Sequence, residues 1–188
     1  MDHFYQNIDG FFHCEPLYRR MVAEARDGDV FVQVGVWRGR AAAFMGVEIL
    51  NSGKRVTLRA VDAFTTTPDG SGPVNADRLR EVRAALAPLH GVVTVVPSLS
   101  VPASARFADG SLAFAFVDAD HSYRAVKADI LAWLPKVRPG GMLAGDDYRW
   151  PGYDGLRAAV DETLPGVWVP DRFEDHVSGW WEYRKPGL

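Results

Sequence analysis

The chain has 188 residues, 47% of them hydrophobic and 24% charged, with a formal net charge of −3. That length suits a single domain of ~100–200 residues, and the composition lies far from the weakly apolar, highly charged balance of disordered chains. Slight acidity argues against affinity won by neutralising a nucleic-acid backbone, one cysteine (Cys14) excludes a disulfide framework and fits the reducing cytoplasm, and no apolar run approaches the ~20 residues of a membrane helix.

Along the chain, short β-rich apolar runs alternate with segments of helical period. Pro16 opens a first helix through Leu17, Tyr18, Met21, Val22 and Ala25, stopped by Asp27-Gly28, so residues 1–29 form an amino-terminal helical cap segment. Residues 30–188 read as the core. Val30–Val34 is a buried strand followed by Gly35, and a helix runs from Ala41 to Leu50. A second strand, Arg55–Val61, ends on Asp62, and a Thr/Pro/Gly-rich loop spans Thr65 to Pro73. Leu79, Val82, Leu86 and Leu89 recur at helical spacing before the third strand, Val92–Val96. The fourth strand, Leu112–Val117, ends at Asp118 and feeds a helix striped by Tyr123, Val126, Ile130 and Leu134. A turn at Pro139-Gly140-Gly141 precedes a short fifth strand, Met142–Ala144. A helix over Leu156–Leu164, a run at Val167–Val169 and a last strand around Trp180–Arg184 follow, the tail forming a hairpin in which one of Trp180 and Trp181 is buried and the other partly covered. The fold class is α/β: a Rossmann-like, doubly wound, mostly parallel seven-stranded sheet with a carboxyl-terminal antiparallel hairpin, in one domain. In such sheets the loops at the carboxyl ends of the strands gather at one edge, where ligands bind.

Two groups of residues at that edge carry chemistry. Gly35-Val36-Trp37-Arg38-Gly39 lies between strand and helix, where glycine lets the backbone approach a ligand and the helix amino end attracts negative charge. It lacks the GxGxxG spacing of a dinucleotide turn, and a tight turn without a ligand has the same signature. Asp62, at the second strand tip, is placed for ribose hydroxyls or equally for a helix cap or solvated loop. More informative are Asp118-Ala119-Asp120-His121 after the fourth strand and Asp146-Asp147 after the fifth. If these strands are neighbours, several carboxylates converge, and like charges at that range call for a cation; oxygen ligands suit a hard one such as Mg²⁺. The alternative is that Asp120 and Ser122 cap the next helix and Asp146-Asp147 begin a loop. His121 lies where the chain turns into a helix and can act as a base near neutral pH. His3, His13, His90 and His176 show no ligand-like spacing.

The stretch Phe116 to Tyr123, with Val126, Asp129, Pro139-Gly140-Gly141 and Asp146-Asp147-Tyr148, resembles the class I S-adenosylmethionine-dependent methyltransferases, in particular their small metal-dependent O-methyltransferase branch. With Val34 to Gly39 and Asp62, the resemblance covers roughly residues 30 to 150. It implies that Asp118, Asp146 and Asp147 bind Mg²⁺ or another hard divalent cation and that His121 is the general base. It further implies that S-adenosylmethionine lies along Gln33, Gly35, Val36, Trp37 and Gly39 at its methionine end, Asp62 at its ribose, and Ser98 and Leu99 at its adenine, with Asp118 also a cofactor-binding residue. Gln33 stands where the family usually has an acid. It keeps hydrogen bonding and removes a negative charge, which leaves a binding protein that kept the fold without catalysis as the alternative.

The reaction so implied is methyl transfer to a hydroxyl of a small molecule, a vicinal diol, catechol or sugar, with Tyr148, Trp150 and the Thr65 to Pro73 loop as pocket walls. A cover over the substrate falls to Phe4, Tyr5, Phe11 and Phe12 or to a second subunit of a homo-oligomer. A nicotinamide-dependent oxidoreductase is disfavoured by the glycine spacing. A phospho-receiver domain is disfavoured because its acidic pair follows the first strand, where this chain has glycine.

Overall fold

The computed structural model describes residues 1–67, 69–170 and 179–187. Its six strands are β1 (Val30–Val34), β2 (Thr57–Asp62), β3 (Val93–Pro97), β4 (Leu112–Val117), β5 (Val137–Gly145) and β6 (Trp181–Arg184). They form one sheet in the order β3-β2-β1-β4-β5-β6, parallel except for β6, which runs antiparallel to β5. The helices are α1 (Glu15–Glu24), α2 (Arg40–Ser52), α3 (Ala76–Leu86), the short α4 (Ser100–Ser104), α5 (Tyr123–Trp133) and α6 (Asp154–Thr163). Chain order reverses between β1 and β4, so the loops leaving these two strands diverge and open a crevice at their carboxyl ends. No helix among the described residues is long and apolar enough to cross a membrane.

Every residue of β4 is buried, as a central parallel strand covered on both faces requires. Strand side chains alternate between the two faces, except across the irregularity between Leu112 and Phe114 in β4. Phe31, Leu58, Phe114, Phe116 and Trp180 join α1, α2 and α3 in one core, whereas Val32, Val34, Leu112, Leu143 and Trp181 join α4, α5 and α6 in the other. That division overturns the expectation for the tryptophan pair: Trp180 and Trp181 point to opposite faces, both faces are covered, and both rings are 1% exposed.

Two further expectations are revised. Pro139-Gly140-Gly141 is not a turn before a strand but part of β5, whose register shifts there. Leu112 pairs with Val137 and Phe114 with Met142, so the additional residues bulge out of the ladder, with Gly140 at φ +74°. Val167–Val169 contributes a single antiparallel bridge, Trp168 to Glu182, with reciprocal backbone bonds of 2.8 Å, and Pro170 then offers no N–H to extend it. The sheet is therefore six strands wide rather than seven among the described residues.

On α5, Asp129 is 4% exposed. Burial lifts its carboxyl to about 6, the Ser100 hydroxyl opposing and Asp120 reinforcing the rise. Because this folded value lies above the ordinary 3.8, the folded state binds the proton more tightly than the unfolded chain does. The resulting stability is fully present below about pH 4 and is lost as pH rises through about 6. Asp129→Asn should therefore raise stability at about pH 8 by roughly 1–3 kcal/mol, a gain that shrinks toward zero as pH is lowered to about 4. Urea unfolding across that range measures it, and a gain independent of pH would show that the ionised carboxylate is not what costs stability.

Candidate active site

β1 ends in Gly35, at φ +85°, where a Cβ would fall 1.7 Å from the Asp118 carbonyl oxygen. The chain then turns through Val36 and Trp37, whose N–H groups donate to Asp62 Oδ2 at 2.8 and 3.0 Å, while Phe64 N donates to Asp62 Oδ1 at 2.6 Å. Asp62 thus ties the loop after β1 to the loop after β2. A carboxylate offers about four lone-pair sites, so acceptor capacity remains. Trp37 and Phe64 have φ of 53° and 50°, a left-handed conformation that bulky residues rarely adopt, and the Asp62 bonds hold both. The Arg78 guanidinium covers one side of the Trp37 ring, 4.4 Å from its centroid.

Gln33 is 3% exposed beneath this turn, its Nε2 donating to the Gly35 carbonyl at 2.9 Å and its Oε1 left without a hydrogen-bond partner. An orphaned buried acceptor costs about 1–3 kcal/mol, which a donor placed there would recover. Ser98 N donates to the Asp62 carbonyl at 2.9 Å, setting Ser98 and the half-exposed Leu99 beside the β2 tip. Gly39, at φ +93°, caps α2. Gln33, Gly35, Val36, Trp37, Asp62, Ser98 and Leu99 therefore share the edge formed by the tips of β1, β2 and β3.

The acids occupy the adjoining tips. Asp118 N donates to the Val34 carbonyl at 2.8 Å, fixing the start of the loop after β4. His121 Nε2 lies 3.3 Å from Asp118 Oδ1 and 3.2 Å from Asp147 Oδ2, and its ring stacks on Tyr153 with centroids 4.5 Å apart. Asp147 has φ 62°, which turns it away from its neighbour. Asp146 points the other way: its Oδ1 lies 3.0 Å from His13 Nε2, and its Oδ2 accepts from the buried Cys14 thiol at 3.7 Å. The three carboxylates assigned to one cation thus fork into two groups, Asp118–His121–Asp147 and His13–Cys14–Asp146, each with donor atoms within 4.8 Å of one another.

The carboxylates nevertheless feel one another. Burial, then the charges of Asp146 and Asp118, push the Asp147 carboxyl up to about 7, with His121 and His13 opposing. Asp118 is raised as well, first by burial and then by Asp146, against the pull of His121. Burial alone would lower both imidazoles; for His121 the hydrogen bond and charge of Asp118, and for His13 those of Asp146, outweigh it, so both rise. Asp120 stays out of the cluster and accepts from Ser122 N at 2.8 Å, while the Ser122 hydroxyl caps α5.

Sequence spacing gave no sign of His13 and Cys14. Their one local signal is position, immediately before the helix that Pro16 opens. Of the remaining histidines, His3 pairs with Glu48 at 2.7 Å, His90 is exposed, and His176 lies outside the described residues. Tyr148 turns to α6, donating to Asp161 at 2.5 Å, and so does not wall this edge as expected. Phe4, Tyr5 and Phe12 pack on the first core, leaving Phe11 fully exposed.

A protein-family model described as a methyltransferase domain matches residues 32–148. The chain belongs to that family. Its fold is that of the class I S-adenosylmethionine-dependent methyltransferases. Among solved structures, this methyltransferase domain superposes on an S-adenosylmethionine-dependent O-methyltransferase from Thermotoga maritima with a TM-score of 0.65 at 15% identity, covering 96% of this chain and 68% of that one. It superposes on the O-methyltransferase NovP at 0.64 and 21%, covering 92% and 79%. A putative rRNA-methylase from Clostridium thermocellum gives 0.67 and 12%, covering 95% and 100%. No curated protein matches the sequence significantly.

Because Asp62 is the acceptor for three backbone N–H groups across two strained loops, Asp62→Ala should cost about 2 kcal/mol or more in the methyltransferase domain. Denaturant unfolding measures the loss, and a change below about 0.5 kcal/mol would mean that the loops keep their shape without it.

Proposed function

We propose that the protein is an S-adenosylmethionine-dependent O-methyltransferase of a small molecule bearing two neighbouring oxygens, a vicinal diol, catechol or sugar, assisted by Mg²⁺ or another hard divalent cation. One observation carries the reading: three carboxylates and an imidazole from the tips of β4 and β5 stand, in two adjoining groups, at the same sheet edge as the glycine turn and Asp62. The cofactor side fits, since the orphaned Gln33 Oε1 offers an acceptor to an ammonium group beside the Gly35 turn, and Asp62 retains capacity for a ribose hydroxyl. The cation side fits as well, since Asp118, Asp146 and Asp147 crowd one sheet edge, where burial and then the charges of Asp146 and Asp118 raise Asp147 to about 7. Bound there, S-adenosylmethionine supplies an electrophilic methyl group and the cation acidifies the acceptor hydroxyl.

The chain's own part is positioning and proton removal. Asp118 and Asp147 lie on two sides of His121 Nε2 while Tyr153 fixes the plane of the ring, so Nε2 is aimed at the carboxylate centre, and in its deprotonated form it is the group placed to receive the hydroxyl proton. The half-exposed Trp150, whose ring centroid is 6.5 Å from that of Tyr153, extends an aromatic wall on the acceptor side. The acidic mouth and the net charge of −3 favour such an acceptor over a polyanionic RNA, and two of the structural neighbours are O-methyltransferases by name. Gln33 motivates the second reading, a protein that binds the cofactor or another ligand without catalysis.

His121→Ala should lower turnover by about 10²-fold or more with S-adenosylmethionine affinity unchanged, and Asp146→Asn should remove the Mg²⁺-dependent part of the rate. Calorimetry with the cofactor and mass spectrometry over a catechol and sugar panel are the measurements. No cofactor binding in the presence of Mg²⁺ would hand the case to the non-catalytic reading, and parental rates in both variants would sink the site assignment.

A further inference from the structure

We infer that the amino-terminal arm supplies a nitrogen ligand to the acidic centre: His13, seated on Asp146, gives a site otherwise made of carboxylates a higher affinity for a transition-metal dication such as Co²⁺ than for Mg²⁺. The inference rests on the reading of Asp118, Asp146 and Asp147 as a cation site.

The spacing is that of a hydrogen-bonded pair and equally suits two donors on one ion. With metal–ligand bonds of about 2.1 Å, donors at right angles lie about 3.0 Å apart. The His13 Nε2–Asp146 Oδ1 separation is 3.0 Å, and with Cys14 these two form a group whose donor atoms lie within 4.8 Å of one another. The left-handed turn at Asp147 sends consecutive carboxylates to different imidazoles, so each histidine faces an acid of the pair. The His13 and Asp146 side chains are only 11% and 13% exposed, which keeps water from competing for their donor atoms.

His13 is delivered there by contacts that do not involve its own ring. Before it, Arg40 donates to the Ile8 carbonyl at 2.9 Å and Arg38 pairs with Asp9 at 3.4 Å. Around it, the Phe12 ring packs on Phe44 and Tyr18, and Cys14 is buried at 1% exposure. The arm is thus anchored on both sides of position 13. Carboxylates alone suit Mg²⁺, which gains little from imidazole, whereas a nitrogen donor favours Co²⁺ and its neighbours in the first transition row.

The test is equilibrium binding of Co²⁺ and of Mg²⁺, each alone, to the tag-free full chain without cofactor or acceptor, followed by calorimetry and by the visible absorption of bound Co²⁺. The parent should bind Co²⁺ more tightly than Mg²⁺. His13→Ala should weaken Co²⁺ by about tenfold or more and shift its absorption bands, while changing Mg²⁺ affinity less than about threefold. His13→Gln keeps a hydrogen-bond donor for Asp146 and should match His13→Ala; should the alanine variant not fold, the glutamine variant carries the test. A glutamine variant that retains parental Co²⁺ affinity and spectrum would show that His13 only docks the arm, overturning the inference. If the His13 variants weaken both ions equally or neither, while Asp118→Asn still removes binding, the nitrogen ligand falls and the carboxylate site stands. If Asp118→Asn leaves both ions bound as in the parent, the carboxylate reading falls and the inference with it. Co²⁺ bound through His13 in a chain that transfers no methyl group would uphold the ligand and overturn only the catalytic reading.

Discussion

The site depends on how closely three strand tips pass one another. A side chain at position 35 would put its Cβ 1.7 Å from the Asp118 carbonyl oxygen, and one at position 145 would put it 2.4 Å from the Val117 carbonyl oxygen. The end of β4 is thus pinched between glycines on β1 and β5, and at both places the obstacle is backbone, which cannot swing aside as a side-chain end can. This close approach leaves Asp118 at the centre of the edge, with the Gly35 turn on one side and Asp146-Asp147 one step beyond Gly145 on the other. Any larger residue at either glycine would part the strands and separate the groups that the chemistry needs together.

Convergence has an electrostatic cost. Burial and then the neighbouring carboxylate charges raise the proton affinity of Asp147 and Asp118, and in a partly desolvated setting that repulsion is screened little. The fold offsets it with two imidazoles from opposite directions, His121 from the turn into α5 and His13 from the arm ahead of α1. The aromatic supports differ. His121 lies flat on Tyr153, which fixes its plane, whereas the His13 ring is tilted 34° to Trp180 at a centroid distance of 6.4 Å. Two histidines held differently around one acidic centre are better explained by separate tasks than by simple charge balance.

Local signals made most of this fold legible in the sequence. β4 begins and ends where its apolar run does, and α5 begins after Ser122, whose hydroxyl caps it. The acids after β4 and β5 could be placed at one edge because strands joined by helical crossovers run parallel, so their carboxyl ends share a side. What could not be read depends on contacts distant in the chain. Pro139-Gly140-Gly141 has turn composition, yet pairing on both sides of it absorbs those residues as a bulge within β5. The fold, not spacing, joins the arm to Asp146: the Cys14–Asp146 contact spans 132 positions of the chain. Nor does a pattern of side chains announce that both faces of β6 are covered, which is why the second tryptophan proves as buried as the first.

Asp62 links the shape of the loops to the binding of a ligand. Its carboxylate already stabilises the left-handed Trp37 and Phe64 through three backbone N–H groups, so the loops after β1 and β2 are shaped before any ligand arrives. Under the proposed reading, a ribose hydroxyl addresses the remaining acceptor capacity of the same group and need not first organise these loops, which lowers the ordering cost of binding. The Gln33 oxygen works in the opposite sense. Among the described residues no group donates to it, so its acceptor capacity is left for an incoming donor. Preorganised loops and an uncommitted acceptor both favour binding, one by reducing what the bound state costs and the other by adding a hydrogen bond. An amide at position 33 can therefore support recognition of an ammonium group without the charge that the family's usual acid would bring.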